Sequence, residues 1–321
     1  MRMGHCILVP EVVDESGLDL LRQAGFQVKK VSPTGQEELI RALAGCDGVI
    51  VRVAKIDARV LAANPQLKVI GKHGVGVDNI DLDCCRVRGV AVVNTPHANS
   101  QSVAEHAVTL MLACAKQINY KASCYRREDY GVKDRVPGGE ISGKALGLIG
   151  FGNIAAQVAS MAINGFAMQV TAYDPFLPEG ERPDGVTVVH DPETVYRQAD
   201  FISVHIPATP QTIRSIGTRE FGWMKPTAYF INTSRGNVVD EPALITALRA
   251  GEIAGAGLDV SDPEPAWGDN PLHRMDNVIM TPHCAGVTAD SMRHMSQDVA
   301  RGLMEAFDGK KPTWPVVWPE K

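Results

Sequence analysis

Three residues of this chain have the types and surroundings that acid–base chemistry on a small carboxylic acid requires. Arg235 and His283 each come just after an apolar run typical of a buried strand, and Glu264 lies between two prolines. The arginine fork can hold a carboxylate through two hydrogen bonds and polarise a neighbouring carbonyl. The histidine can exchange a proton with a ketone or hydroxyl oxygen near neutral pH, and the glutamate can fix its tautomer and favour its charged form.

Each of these residues also has an ordinary alternative role. Arg235 could form a surface ion pair, His283 could cap its loop, and Glu264 could be a solvated loop residue. Their common location favours chemistry, because each follows the carboxyl end of a predicted strand. In open parallel sheets, ligands bind at that edge.

The stretch from Ala145 to Asp174 has the pattern of a dinucleotide-binding unit. It predicts a buried strand, a turn with Gly150 and Gly152, an Ala-rich helix through about Ala162, and a second strand. The first glycine permits a tight turn, and the second lets the backbone approach a pyrophosphate. The helix N-terminus then presents N–H groups to the phosphates. An ordinary strand–helix turn is the alternative.

Two further residues support the dinucleotide interpretation. Ala155 is small enough for the helix to pack closely on the strand. Asp174 follows the first glycine at roughly the 20-residue spacing expected for a carboxylate that binds a ribose diol. Because this carboxylate repels a 2′-phosphate and no basic residue follows it closely, we predict NAD rather than NADP. Hydride transfer to a 2-keto acid needs a reduced nicotinamide, an anion clamp and a proton donor.

Composition excludes several classes of protein. The 321 residues carry a formal net charge of −5 without a basic stripe, which disfavours a nucleic-acid partner. The seven cysteines include no C-x-x-C pair, so we predict reduced thiols, no metal site and a cytoplasmic location. The first apolar run reaches Pro10 too soon for a signal peptide, and no run is long enough to span a membrane.

Alternating strand and helix patterns predict an α/β protein with two domains. We expect a Rossmann-type NAD-binding domain at residues 101–288, inserted into a smaller, flavodoxin-like parallel α/β substrate domain. The substrate domain would comprise residues 1–100, with a C-terminal helix and tail, 289–321, returning to it. Residues 118–142 look polar and irregular, which suggests a partner-binding arm or an active-site cover.

A second glycine cluster, at residues 71–78, follows a strand of the first domain but lacks the dinucleotide spacing. We expect a loop whose backbone N–H groups receive a small anion. A plain glycine turn before the next helix is the alternative.

The chain resembles the D-isomer-specific 2-hydroxyacid dehydrogenases, and within them the phosphoglycerate dehydrogenase and hydroxypyruvate reductase branch. The resemblance covers almost the whole chain and rests on motifs whose order and spacing are specific. These motifs are GVGVDNID at 74–81, NTPHANSQSVAEH at 94–106, GKALGLIGFGNIA at 143–155, AYDPF at 172–176, SVHIPATPQT at 203–212, INTSRGNVVDEPAL at 231–244, GLDVSDPEP at 257–265 and TPHCAG at 281–286.

The resemblance implies a role for each motif. It implies that Arg235 holds the substrate, that Glu264 and His283 form the acid–base pair, and that Asp259 lies near the nicotinamide carboxamide. It also implies a homodimer formed largely by the NAD-binding domains. The other predicted contacts are those of Gly150, Gly152, Asn153, Ile154, Asp174, Ile206, Pro207, Thr233 and Gly286 with NAD, and those of the Val75 and Gly76 amides with the substrate carboxylate.

The substrate is the open question. Arg52 and Lys72 lie at strand ends of the first domain and predict a second anionic or polar group on the substrate, although they could be ordinary surface residues. The resemblance leaves open a second class of function, an NAD-gated binding module like the C-terminal-binding-protein corepressors. The chain ends at Lys321 without the disordered tail typical of those proteins, and we expect no regulatory serine-binding domain. Product stereochemistry and physiological direction stay open.

Overall fold

The computed structural model describes residues 4–182 and 184–319. Numbered along the chain, the strands are β1 Cys6–Val9, β2 Gln27–Lys30, β3 Gly48–Val51, β4 Val69–Lys72, β5 Ala91–Val93, β6 Ala145–Ile149, β7 Gln169–Tyr173, β8 Gly180–Glu181, β9 Val186–Val189, β10 Phe201–Val204, β11 Tyr229–Asn232, β12 Gly255–Leu258, β13 Val278–Met280 and β14 Pro315–Val317. The α-helices are α1 Glu15–Gln23, α2 Gln36–Leu43, α3 Ala58–Ala63, α4 Leu82–Arg88, α5 Ser100–Lys116, α6 Ile118–Arg126, α7 Val132–Arg135, α8 Asn153–Phe166, α9 Pro192–Gln198, α10 Thr218–Trp223, α11 Glu241–Ala250 and α12 Ala289–Phe307.

The chain forms two compact units. Unit 1 comprises the residues up to Asn99 and from Gly286 onward, and unit 2 comprises Ser100–Ala285. Unit 2 begins one residue before the predicted NAD-binding domain, 101–288, and ends three residues before it. One unit is therefore continuous in sequence and the other is assembled from both ends of the chain.

Unit 1 is a parallel sheet with helices on both faces. Its strand order is β2-β1-β3-β4-β5, extended by β14, which pairs antiparallel with β5. This order is the flavodoxin-like one, as predicted. Apolar strand residues build a core on each face of the sheet. The edge strand β2 was missing from the sequence prediction, because its residues are mostly polar and none is fully buried.

The long helix α12 belongs to unit 1 and covers one face of its sheet. Thr288 caps its N-terminus by accepting a hydrogen bond from the Ser291 N–H at 3.2 Å. Met295, Val299 and Leu303 recur every four residues and are buried against unit 1. The C-terminal helix predicted within 289–321 therefore forms, and it spans Ala289–Phe307.

Unit 2 has an eight-stranded sheet with the order β13-β12-β11-β10-β6-β7-β9-β8. The pairs from β13 to β9 are parallel, and only the short β8 is antiparallel to its neighbour. This is the doubly wound order in which β6 and β10 flank the point where the chain reverses direction across the sheet. The predicted Rossmann fold is confirmed.

The segment 118–142 is not irregular, so that prediction was wrong. It contains α6 and α7, and Gln117, with a φ of 55°, ends α5 and allows α6 to begin in a new direction. Helix α6 was not recognised in the sequence, because this helix buries only Cys124 and therefore has no apolar stripe. Among the described residues, no helix is long and apolar enough to cross a membrane.

Two other boundaries differ from those predicted. Helix α8 continues one turn beyond Ala162. In the second glycine cluster, Gly71 and Lys72 belong to β4, so the loop proper begins at residue 73.

Candidate active site

The glycine turn after β6 has the shape that a dinucleotide requires. Gly150 has a φ of 88°, and a Cβ there would lie 2.8 Å from Ile206 and 3.0 Å from the His205 carbonyl. A Cβ on Gly152 would have no neighbour within 4 Å, so this backbone borders open space. The next residue, Asn153, begins α8, and Gly152 provides no side-chain cap. The helix N-terminus can therefore receive phosphate oxygens.

Asp174 lies where β7 ends, beside this turn. Its carboxylate accepts a hydrogen bond from the Phe151 N–H at 3.0 Å and another from the Phe176 N–H at 2.9 Å. The first bond ties the acidic residue to the glycine turn itself. A carboxylate has about four acceptor positions, so it can still accept hydrogen bonds from a ribose diol.

Two further strand ends carry predicted cofactor residues. Ile206 and Pro207 follow β10, and Ile206 contacts the region of Gly150. Thr233 follows β11, and its hydroxyl oxygen is buried without a hydrogen-bond partner among the described residues. A buried hydroxyl rarely stays unpaired, so this atom fits a ligand. The open space at Gly152, the uncapped helix and this hydroxyl together fit NAD.

A tight turn after β11 presents Arg235. The Asn232 side chain holds both sides of the turn: its amide N–H donates to the Arg235 carbonyl at 2.9 Å, and its amide oxygen accepts from the Ser234 N–H at 2.9 Å. Gly236 allows the turn to approach the next loop, since a Cβ there would lie 1.9 Å from the Ser261 carbonyl. The Arg235 loop is thereby packed directly onto the loop that leads to the predicted glutamate.

His283 and Glu264, the residues predicted to form an acid–base pair, contact each other in unit 2. The Nδ1 atom of His283 lies 2.5 Å from the Glu264 carboxylate. With Nδ1 engaged there, the Nε2 atom is the one that can exchange a proton with a substrate. The two side chains are 46% and 40% exposed, so solutes can reach them. The sequence prediction that Glu264 would hold the far nitrogen of His283 agrees with this geometry.

The loop that carries His283 folds around the carboxylate of Asp259, which is only 1% exposed. The Thr281 hydroxyl donates to this carboxylate at 2.5 Å. The backbone N–H groups of Cys284 and Ala285 donate to its two oxygens at 2.9 and 2.8 Å. Asp259 therefore fixes the backbone on both sides of the histidine, and its predicted contact with nicotinamide stays a prediction.

Possible metal ligands also meet at Asp259. Ligand atoms of His106, Asp259 and Cys284 lie within 4.8 Å of one another. The carboxylate already accepts the three hydrogen bonds described above, and burial raises the pKa of the Cys284 thiol. These contacts explain the cluster as a hydrogen-bond network, and we assign no metal site to it.

Unit 1 has its own predicted ligand-binding loop, after β4. The Gly74 N–H donates to the Thr95 hydroxyl at 3.1 Å, and the Thr95 N–H donates to the Gly74 carbonyl at 3.0 Å. The N–H groups of Val75 and Gly76, next along this loop, have no hydrogen-bond acceptor among the described residues. Gly286, a predicted cofactor residue, lies in unit 1 near Asn99.

The loop after β3 binds an internal carboxylate. Glu11 accepts hydrogen bonds from the backbone N–H groups of residues 52, 53 and 54 at 2.5, 2.8 and 3.3 Å. This is an anion-binding arrangement of successive N–H groups, and a side chain of the same unit fills it. It lies between β1 and β3, where the strand order of a flavodoxin-like sheet reverses.

The two basic residues of this edge also have protein partners. One guanidinium N–H of Arg52 donates to the Val12 carbonyl at 3.0 Å. The Lys72 ammonium donates to the Arg52 carbonyl and to the Asn79 side-chain oxygen, the latter at 2.6 Å. Lys72 therefore braces two loops, while the Arg52 guanidinium has further N–H groups for other acceptors.

Sequence reasoning assigned no role to the residues that hold these side chains. Asn232, Thr281 and His106 lie within motifs that carry the family resemblance, and this was the available signal. Glu241 also lies in such a motif, whereas Glu11 had no local signal because its partners are distant in sequence. Glu241 accepts a hydrogen bond from Asn270 at 2.8 Å and thus supports the Glu264 loop.

Comparison with known proteins gives the family. Residues 108–285 match the model of the D-isomer specific 2-hydroxyacid dehydrogenase family, NAD binding domain. This match confirms the predicted cofactor, NAD, for the part of the chain that forms unit 2. A solved structure, the TT0316 protein from Thermus thermophilus, superposes with a TM-score of 0.89 at 33% identity, covering 97% of this chain and 100% of that one.

Two curated relatives illustrate the range of the family. A D-3-phosphoglycerate dehydrogenase of Archaeoglobus fulgidus is 40% identical over 306 residues, which cover 94% of this chain and 57% of that protein. A hydroxypyruvate reductase of Thermotoga maritima is 38% identical over 273 residues, covering 84% of this chain and 88% of that protein. The chain thus spans little more than half the length of the first relative. It belongs to the D-isomer specific 2-hydroxyacid dehydrogenase family.

Proposed function

We propose that this chain is an NAD-dependent oxidoreductase that transfers hydride reversibly between NAD(H) and a small 2-hydroxy or 2-keto acid. The substrate class we propose has a second anionic or polar group, of the 3-phosphoglycerate or hydroxypyruvate/glycerate type. The observation that carries the proposal is the 2.5 Å contact between His283 and Glu264, in the unit that matches an NAD binding domain.

The proposed reaction assigns one task to each side chain. When NADH is bound, its nicotinamide supplies the hydride. Arg235 holds the substrate carboxylate and polarises the adjacent carbonyl. The Nε2 atom of His283 gives its proton to the ketone oxygen, and Glu264 at Nδ1 stabilises the protonated imidazole before this transfer. In the reverse direction, the neutral imidazole accepts the hydroxyl proton.

We propose that the cofactor contacts are those predicted from the sequence. The N–H groups at the start of α8, with Gly150 and Gly152, would bind the pyrophosphate, and Asp174 would bind the ribose diol. The open space at Gly152 and the placement of Asp174 support these roles. The remaining proposed NAD contacts are Asn153, Ile154, Ile206, Pro207, Thr233, Asp259 and Gly286.

For unit 1, we propose that the Val75 and Gly76 amides bind the substrate carboxylate and that Arg52 and Lys72 favour a second anion. The bonds of the Lys72 ammonium to its own unit make Arg52 the stronger candidate of the two basic residues. We also propose a homodimer formed through the NAD-binding domain and a cytoplasmic location.

The test is NADH oxidation at neutral pH against a panel of 2-keto acids. The panel contains glyoxylate, hydroxypyruvate, phosphohydroxypyruvate, sulfopyruvate, oxaloacetate and pyruvate, and NADH binding is measured in parallel by fluorescence. We expect turnover of at least one acid, and higher kcat/KM for those with a polar or anionic third carbon. NADH binding without any turnover would contradict the proposal and favour an NAD-gated binding module.

A further inference from the structure

A series of hydrogen-bonded polar groups, which ends at the buried Asp259, leads from helix α5 to the loop of the proposed proton donor. The Nε2 atom of His106, on α5, lies 3.0 Å from the Thr281 hydroxyl, which in turn lies 2.5 Å from the Asp259 carboxylate. The same His106 nitrogen is 3.6 Å from that carboxylate. All three residues belong to unit 2.

The direction of these hydrogen bonds follows from their chemistry. The Thr281 hydroxyl has one hydrogen, and the carboxylate of Asp259 can only accept. The short contact of 2.5 Å therefore takes the hydroxyl hydrogen. Thr281 must accept from His106, so the His106 Nε2 atom carries a proton.

Asp259, at the end of this series of hydrogen bonds, fixes the conformation of the backbone around His283. The His283 N–H donates to the Asp259 carbonyl at 2.8 Å, and the next two N–H groups donate to the Asp259 carboxylate. His283 itself has a φ of 50°, in the left-handed region that a non-glycine residue adopts only when its surroundings hold it there.

We propose that Thr281 and His106 are positioning residues for the reaction proposed above: they orient the Asp259 carboxylate, which holds the His283 loop in its strained conformation. The inference rests on the proposed function for its kinetic consequence. Neither residue exchanges protons with the substrate in this account. Their task is to keep the imidazole within reach of Glu264 and of the substrate, where an error of about 1 Å can cost about 100-fold in rate.

The test compares Thr281→Val, which keeps the shape and removes the hydroxyl, with Thr281→Ser, which keeps the hydroxyl. We expect Thr281→Val to lower kcat by about 10- to 100-fold and to change the shape of the pH–rate profile. The Kd for NADH should change less than about 3-fold, because Asp259 is only one of the many proposed NAD contacts, and Thr281→Ser should recover most of kcat. His106→Leu should resemble the valine variant, and His106→Gln, which can still donate, should be milder.

Two controls separate positioning from general damage. Thr246→Val makes the same change at an exposed threonine of α11 that bonds only within its helix, and it should leave kcat unchanged. The imidazole resonances of His283 are also followed by NMR, a measurement that needs no substrate. The Thr281→Val variant should shift these resonances because the contact with Glu264 loosens.

The outcomes are distinct. A Thr281→Val enzyme with wild-type kcat and unchanged His283 imidazole resonances would overturn the inference. Loss of NADH binding in that variant, or equal losses of kcat in the valine and serine variants, would also overturn it, since these would point to support of the whole unit. If no keto acid is turned over by the wild type but the imidazole resonances shift as expected, the proposed function fails while the positioning role stands.

Discussion

The carboxyl edges of the two sheets use charged residues in opposite ways. In unit 2, the side chains that could react are themselves held in place: the Asn232 amide fixes the turn of Arg235, and Glu264 holds His283 at Nδ1. In unit 1, charged side chains hold the backbone: Glu11 accepts three successive N–H groups, and the Lys72 ammonium donates to a carbonyl. Position at a strand end therefore does not distinguish a reacting group from a structural one.

Asp259 shows that the distinction depends on partners rather than on the unit. It lies in unit 2, yet its carboxylate accepts three hydrogen bonds from its own loops, as Glu11 does in unit 1. A buried carboxylate with several donors is a scaffold for the loops around it. We therefore expect large kinetic effects at Arg235 and Glu264, and smaller effects at the basic residues of unit 1.

Arg235→Lys gives the largest expected effect among the five substitutions compared first. Lysine keeps the charge but cannot form the two parallel hydrogen bonds of the guanidinium. We expect kcat/KM for the best keto acid to fall by about 1000-fold, which is about 4 kcal/mol at about 1.4 kcal/mol per factor of ten. Arg197→Lys, an exposed ion-pair residue of α9, is the matched control. Loss of less than about 5-fold would remove Arg235 from the proposed machinery.

Glu264→Gln tests the acid–base pair next. Glutamine keeps a hydrogen bond to His283 Nδ1 but removes the negative charge that favours the imidazolium. We expect kcat to fall by about 100-fold and the pH profile of kcat/KM to change, because the charge beside the imidazole is lost. Measurements of kcat and of kcat/KM across pH test both effects, with Glu193→Gln as the surface control. An unchanged pH profile would contradict the role of this carboxylate.

His73 gives an effect on stability rather than on chemistry. It is 4% exposed, and burial, assisted by nearby Arg52, lowers the pKa of this histidine to about 4 from the ordinary 6.5. The unfolded chain binds this proton between pH 6.5 and 4 and the folded chain does not, so stability is lost as pH falls through this window.

His73→Gln removes this titration. Between about pH 7.5 and about pH 5, the wild type should lose about 2 kcal/mol of unfolding free energy that the variant keeps. Urea unfolding at the two pH values measures the difference, and His294→Gln, at an exposed position on α12, should behave as the wild type. Equal pH dependence in His73→Gln and the wild type would show that His73 is protonated in the folded state.

Arg52→Met and Lys72→Met give the smallest expected effects and separate the two basic residues of unit 1. For a keto acid with a second anion, we expect KM to rise about 10-fold in Arg52→Met. For Lys72→Met, we expect instead a loss of thermal stability with a smaller change in KM, because its ammonium braces two loops. Pyruvate serves as the control substrate. Equal KM changes for pyruvate and for dianionic acids would remove the second-anion hypothesis.

Much of the fold followed from local patterns in the sequence. The buried strands of both sheets are short apolar runs, and the glycine turn before α8 has a specific spacing, so β6, α8 and β7 were predictable. The edge strand β2 and helix α6 were not. They bury little, so their sequences carry no apolar periodicity. Contacts with neighbouring elements determine their structure instead.

For the candidate site, the sequence indicates which side chains could react but not which contacts hold them. The side chains that could react, Arg235, Glu264 and His283, have recognisable types and contexts. The contacts that hold them could not be predicted, because residues such as His106 and Thr281 are 175 positions apart and meet only in the folded unit. Likewise, nothing near Lys72 in the sequence indicates that its ammonium bonds the Arg52 carbonyl. Partners so far apart in sequence leave no local pattern.

The most direct test of the account is a single-turnover measurement of NADH oxidation by His283→Asn on the best keto acid. Asparagine can still bond Glu264 but cannot act as a proton donor near neutral pH. We predict that the rate falls by about 1000-fold or more while the Kd for NADH stays within about 3-fold, with the exposed His190→Asn as control. A His283→Asn enzyme that oxidises NADH at the wild-type rate would contradict the proposal that the His283–Glu264 pair supplies the proton for the reaction.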